Sequence, residues 1–245
     1  MHKKKYLVYL GGFLAVFLVF SSLAPAQEKI QAEEPTVTGR KPAAALNDEG
    51  IALARSGQLD QAIQAFTQAI QKDKEFAEAY KNRGVAYYKK GDFDRAITDY
   101  NQALKINPNF TEAWDNRGVA YARKGKFDQA IADFNRALEN NPEYWRAYKN
   151  RGVAYARRRQ FEKAIEDFNQ ALKLSPKDAE TIFNRALAFD EAGRFKEALD
   201  GFRAFVDLAS PVQYGDFIEE AKARIKELEK APPAAVKEKE EPEED

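Results

Sequence analysis

Along the middle of the chain, apolar positions recur with helical spacing. Between residues 111 and 123, Trp114, Gly118 and Tyr121 stand at i, i+4 and i+7 and so share one helical face. Between residues 127 and 140, Phe127, Ala130, Phe134 and Ala137 do the same. The pattern predicts two amphipathic helices. Gly125 lies between them, where a left-handed C-cap suits glycine, and Pro142 follows the second, where its ring prevents continuation. Near the C-terminus Phe217, Ala221, Ile225 and Leu228 form another apolar stripe, with Glu219, Glu220, Lys222, Lys226 and Glu227 on the other side. This predicts one more helix over 213–230. The first residues follow another rule: Tyr6 to Phe20 is an unbroken apolar or glycine run.

The helical pattern repeats. Asn82-Arg83-Gly84-Val85-Ala86-Tyr87 returns at 116–121 and again at 150–155, each step being 34 residues (116 − 82, 150 − 116). Aligned on these letters, units 43–76, 77–110, 111–144, 145–178 and 179–212 follow without insertion or deletion. The eighth place holds Gly50, Gly84, Gly118, Gly152 and Ala186, and the eleventh Leu53, Tyr87, Tyr121, Tyr155 and Phe189. The twentieth holds Ala62, Ala96, Ala130, Ala164 and Ala198, and the twenty-fourth Phe66, Tyr100, Phe134, Phe168 and Phe202. Pro108, Pro142 and Pro176 close the middle units. Period and letters together resemble the tetratricopeptide repeat family. The resemblance implies an all-α fold, a right-handed α-solenoid of five helix-turn-helix units, with 213–230 as a capping helix. One unit cannot bury both apolar stripes, so neighbours must stack.

Departures from the pattern carry information. Arg159 stands where the other inter-helix turns have glycine; if left-handed there, it costs about 1 kcal/mol. The first unit has Lys74 in place of the closing proline. The fifth has Phe205 where the family has alanine, and its proline, Pro211, comes one place late. End units of arrays are commonly atypical.

The flanks read differently. A basic patch, His2-Lys3-Lys4-Lys5, precedes the apolar run, and Ala24-Pro25-Ala26 follows it, the pattern of a secretory signal peptide over 1–26 with Gln27 as the first mature residue. Export to a periplasmic or secreted location is expected. The alternative is an uncleaved N-terminal membrane anchor. Residues 27–42 have a linker's composition, and 231–245, ending in a run of six acids and two lysines, that of a disordered acidic tail.

Charge is balanced, with 39 basic and 39 acidic residues, so strong attraction to nucleic acid is not expected. Cysteine is absent and His2 is the only histidine, which removes disulfides, thiolate metal sites and histidine-based triads. No Gly-rich phosphate loop, HExxH or GxSxG occurs. Neither a catalytic activity nor a cofactor is expected.

Four columns of polar side chains recur with the unit. Arg83, Arg117, Arg151 and Arg185 occupy the seventh place, and Asp99, Asp133 and Asp167 follow three of them at a distance of sixteen residues. Arginine–aspartate bridges between the two helices of a unit are expected. That leaves Arg185, opposite Gly201, as the arginine expected to be free. Asn82, Asn116, Asn150 and Asn184 fill the sixth place, which faces the concave surface in repeats of this family. They resemble the asparagine ladder of O-linked N-acetylglucosamine transferases, which implies a hold on the backbone of an extended peptide; solvated or capping asparagines are the open alternative. A basic row, Lys89, Arg123 and Arg157, preceded by Arg55, runs at the thirteenth place. Lys81, Asn116 and Arg146 match three of the five places of the carboxylate clamp of chaperone adaptors in the family; Val85 and Asn150 do not. The expected work is that of a non-catalytic protein–protein interaction scaffold or assembly factor holding a protein or peptide partner in the groove, an acidic one being the candidate the basic row suggests. A subunit docking its outer face onto a cell-envelope complex is the alternative.

Overall fold

The structure, a computed structural model, describes residues 43–230; the expected signal peptide, linker and acidic tail lie outside the described residues. Eleven helices account for nearly all of it. Five pairs, α1 (Ala43–Arg55) with α2 (Leu59–Lys72), α3 (Ala77–Lys89) with α4 (Phe93–Ile106), α5 (Thr111–Arg123) with α6 (Phe127–Asn140), α7 (Trp145–Arg157) with α8 (Phe161–Leu174) and α9 (Ala179–Glu191) with α10 (Phe195–Leu208), are followed by α11 (Pro211–Lys230). Each first helix packs on its own second helix and, from α3 onward, on the second helix before it. The result is an all-α solenoid.

The repeated letters explain the spacing within a pair. A methyl group at Gly118 would meet the Phe134 ring at 2.6 Å, so the first helix can lie on the aromatic ring only if this place has no side chain. The fifth unit solves the same problem in reverse. Ala186 fills the glycine place, and Gly201, on the facing helix, fills the place of the aspartates; a Cβ at Gly201 would stand 2.8 Å from that of Ala186. One methyl has changed sides, and the unit lost its carboxylate with it.

The turns follow the glycine rule with one exception. After α5, Gly125 donates to the Ala122 carbonyl and Lys126 to that of Tyr121, the Schellman pattern, with Gly125 at φ 74°. After α7, Arg159 at φ 60° donates to the Ala156 carbonyl and Gln160 to that of Tyr155, the same pattern with arginine in the left-handed conformation considered above.

The capping helix begins at Pro211 rather than at 213. Pro211 does not terminate the fifth unit; it opens α11, where its missing N–H leaves no bond unmade, and a kink follows at Tyr214. Helix α11 packs on α10 as a sixth first helix would. Phe183, Phe205, Tyr214 and Phe217 form a chain of ring contacts beneath it, and Arg224 clasps the buried Asp190 through two bonds of 2.7 and 2.6 Å.

Candidate functional site

A stack of helix pairs curves toward the side on which equivalent helices come closest. Here each first helix touches the first helix of the next unit, and the second helices make no comparable contact with one another. The first helices therefore form the inner side, and places two, five, six, nine and thirteen share its wall by helical spacing.

The seventh-place arginines are used up in holding the stack. Arg83, Arg117 and Arg151 each donate twice to the aspartate sixteen residues on, through Nε at 2.8 Å and through Nη2 at 2.6–2.7 Å. All three carboxylates are buried. A further bond crosses to the preceding unit: Nη1 reaches Thr67 Oγ1 at 3.0 Å from Arg83, and Asn101 or Asn135 Oδ1 at 2.6 Å from Arg117 and Arg151. The guanidinium of Arg117 also lies 4.6 Å from the Trp114 ring. Each arginine thus joins two helices of its own unit and one of its neighbour.

Arg185 is not free, contrary to the sequence reading. Its Nη1 donates to Asn169 Oδ1 at 2.8 Å, and its Nε is buried without an acceptor because Gly201 supplies no carboxylate. Burial lowers its pKa.

The asparagine column divides according to the fifth place of the preceding unit. Asn82 Nδ2 donates to Asn47 Oδ1, and Asn150 Nδ2 to Asp115 Oδ1, both at 2.9 Å. Asn116 and Asn184 instead follow Lys81 and Lys149, which have no acceptor to offer. Asn184 is fully buried and its amide is unpaired among the described residues, so a guest has no access to it. Its place in the expected ladder is corrected: the side chain lies in the interior of the array and not on the open wall. Asn116 is half-buried and makes no hydrogen bond among the described residues.

Charged residues occupy the same inner side. Lys81 lies half-buried with its ammonium 5.6 Å from the Phe110 ring and no ion pair among the described residues; burial lowers its pKa, against the pull of Glu112 and Glu78. Arg146 is exposed beside the Trp145 ring, and Arg123 is exposed at 6.0 Å from that of Phe93. Lys89 is exposed but has an intramolecular contact. Arg157 is half-buried, its Nε without an acceptor, and burial lowers its pKa. Lys149 is tied to Glu180 at 2.7 Å.

Asp115 belongs to this wall and was not singled out from sequence. Every other buried aspartate among the described residues, Asp99, Asp133, Asp167 and Asp190, is clasped by an arginine. Asp115 has only the Asn150 amide, and burial pushes its carboxyl up to about 6. The available signal was the fifth place itself, where Asn47, Lys81, Asp115 and Lys149 alternate between acceptor and lysine.

Comparison with known families supports the repeat assignment directly. Tetratricopeptide repeat patterns match residues 77–110, 99–132, 116–179 and 158–212, and a further TPR repeat pattern matches 50–91. The chain is a tetratricopeptide repeat protein. A comparison with curated proteins returned no match. Among solved structures, MamA 41-end from Desulfovibrio magneticus RS-1 superposes with a TM-score of 0.62 at 23% identity, covering 68% of this chain and 94% of that one. MamA AMB-1 does so with a TM-score of 0.56 at 27% identity, covering 69% and 93%. These likenesses carry the fold of the array. Tetratricopeptide repeats in general mediate protein–protein interactions and are in general not catalytic; this array is an interaction scaffold in that general sense.

Proposed function

We propose that this tetratricopeptide repeat protein holds an extended peptide segment in its concave groove, and that the segment carries acidic side chains or a free carboxylate. The observation that supports the reading is the pair Lys81 and Asn116. Both are half-buried on the inner side of adjacent units, and neither has a hydrogen bond or ion pair among the described residues. An amide offers a donor and an acceptor to a guest backbone, and the ammonium offers charge to a carboxylate. Arg123 and Arg146, both exposed, extend the positive charge along the wall. A single amide contributes only about 0.5–1.5 kcal/mol, so charge must supply much of the affinity and binding must weaken with salt. The test is anisotropy of a fluorescein-labelled hexaglutamate with the chain from Gln27 onward at two salt concentrations. Binding that weakens with salt and is reduced several-fold by Asn116→Ala and by Lys81→Gln supports the reading. Binding indifferent to both substitutions and to salt rejects it.

The N-terminal pattern places the scaffold outside the membrane in this proposal, exported after cleavage before Gln27. Intact mass of the protein from its own cells tests this; a species keeping Tyr6–Phe20 in the membrane fraction would favour the anchor.

A further inference from the structure

We propose that Asp115 makes guest binding at the centre of the groove proton-linked, an acidic segment being held more tightly when the Asp115 carboxyl is protonated. The inference rests on the groove reading above and adds a regulator to it. It starts from a contrast in geometry. Four other buried aspartates sit in the two-toothed grip of an arginine, whose guanidinium donates two charge-assisted bonds to each carboxylate. Asp115 is equally buried, lies on the first helix of the central unit, and accepts a single bond from the neutral Asn150 amide. No cation is within ion-pair distance among the described residues.

The groups that act on it come from every side. Arg146 and Lys149 on α7 favour the ionised form, and Glu112, one turn before it on α5, opposes it. Tyr100 on α4 and Tyr144 ahead of α7 feel its charge without supplying one of their own near neutral pH. Of the two cations, Lys149 is held by Glu180, so Arg146 is the one whose field Asp115 chiefly offsets. Burial leaves the carboxyl titrating near pH 6, within reach of ordinary aqueous environments.

The consequence is directional. Above this range Asp115 carries a negative charge that repels an acidic guest and offsets Arg146. Below it the charge is gone, Asp115 no longer offsets Arg146, and a glutamate-bearing guest is still largely ionised. By linkage, a guest that prefers the protonated form raises the carboxyl's proton affinity in return. A rise of one pKa unit on binding corresponds to a roughly five- to tenfold tighter complex at pH 5 than at pH 7.5.

The chain already contains the neutral version of this contact. Asn82 donates to Asn47 in the same register and at the same 2.9 Å as Asn150 to Asp115, so Asp115→Asn should fold and keep the bond. The experiment measures hexaglutamate and hexaglutamine binding to the chain from Gln27 onward and to its Asp115→Asn variant at pH 5.5 and 7.5. A carbon NMR titration of the Asp115 carboxyl, with and without hexaglutamate, accompanies it. The expected result is tighter hexaglutamate binding by the unmodified chain at pH 5.5, and an Asp115→Asn variant that binds at both pH values as the unmodified chain does at pH 5.5. Hexaglutamine should show no such dependence. Hexaglutamate binding that is equal at the two pH values, or a pH dependence that survives Asp115→Asn, overturns the proposal. Absence of binding at both pH values removes the acidic-guest reading itself, a different failure from binding without proton linkage.

Discussion

The exchange of a methyl group between Ala186 and Gly201 can be run backwards, and the structure gives its size. Ala186→Gly alone introduces a helix-interior glycine, costing about 1 kcal/mol, and removes a buried methyl worth about 0.8 kcal/mol. Gly201→Asp alone must place a Cβ 2.8 Å from that of Ala186, well inside contact distance. Overpacking of this kind costs about 1–3 kcal/mol, and the displaced carboxylate meets Arg185 poorly. Made together, the two changes rebuild the arrangement of the three middle units. The overlap disappears, and the introduced carboxylate supplies the acceptor that Arg185 Nε lacks. Ala186→Gly should therefore lose about 2 kcal/mol and Gly201→Asp about 1–3 kcal/mol. The double variant should return to within about 1 kcal/mol of the original, a coupling of about 2–4 kcal/mol. Urea unfolding followed by far-ultraviolet circular dichroism, with unchanged m-values, measures all three. Effects that add to within about 0.5 kcal/mol would refute the claim that the missing carboxylate and the extra methyl are one event.

Other perturbations have equally definite outcomes. Arg159→Gly relieves the left-handed backbone and gives up only an exposed 3.8 Å contact with Glu191 and the Phe161 ring contact, so urea unfolding should show a gain of about 0.5–1 kcal/mol. Asp133→Ala strands Arg117 with Asn101 as its remaining hydrogen-bond partner and should cost about 3 kcal/mol, read in the same assay; a loss under 1 kcal/mol would mean that the guanidinium escapes to solvent. Asp115 has its folded pKa raised above its ordinary 3.8, so its contribution to stability is full below that value and is lost as pH rises toward and through about 6. Between pH 7.5 and 5 the chain should gain about 1 kcal/mol relative to Asp115→Asn in parallel unfolding curves.

The fold was legible because the repeat states its packing in the sequence. Gly118, Ala130 and Phe134 return every 34 residues, and only a stack of helix pairs needs a small residue, a small residue and a ring in that order. The Arg117–Asp133 bridge was legible for the same reason, since both partners lie in one unit at fixed spacing. What the spacing concealed were contacts between unlike places of neighbouring units. The bond from Arg117 to Asn101 spans sixteen residues backwards into another unit. The fate of each asparagine depends on a fifth-place residue thirty-five positions earlier, so four identical letters meet three different environments. Arg185 departs from the expectation for the same reason, since its acceptor Asn169 lies sixteen residues back in the preceding unit, and the capping helix adds aromatic contacts and an Arg224–Asp190 clasp that have no counterpart in the unit pattern.

The central claim is that a guest lies along the first helices. Backbone hydrogen exchange, resolved by peptide and compared with and without saturating hexaglutamate, tests it most directly. The account expects slowed exchange in α3, α5 and α7, centred on the turns carrying Lys81, Asn116 and Arg146, with α4, α6 and α8 unchanged. Protection confined to α4, α6 and α8 would put the guest on the outer face and contradict the account.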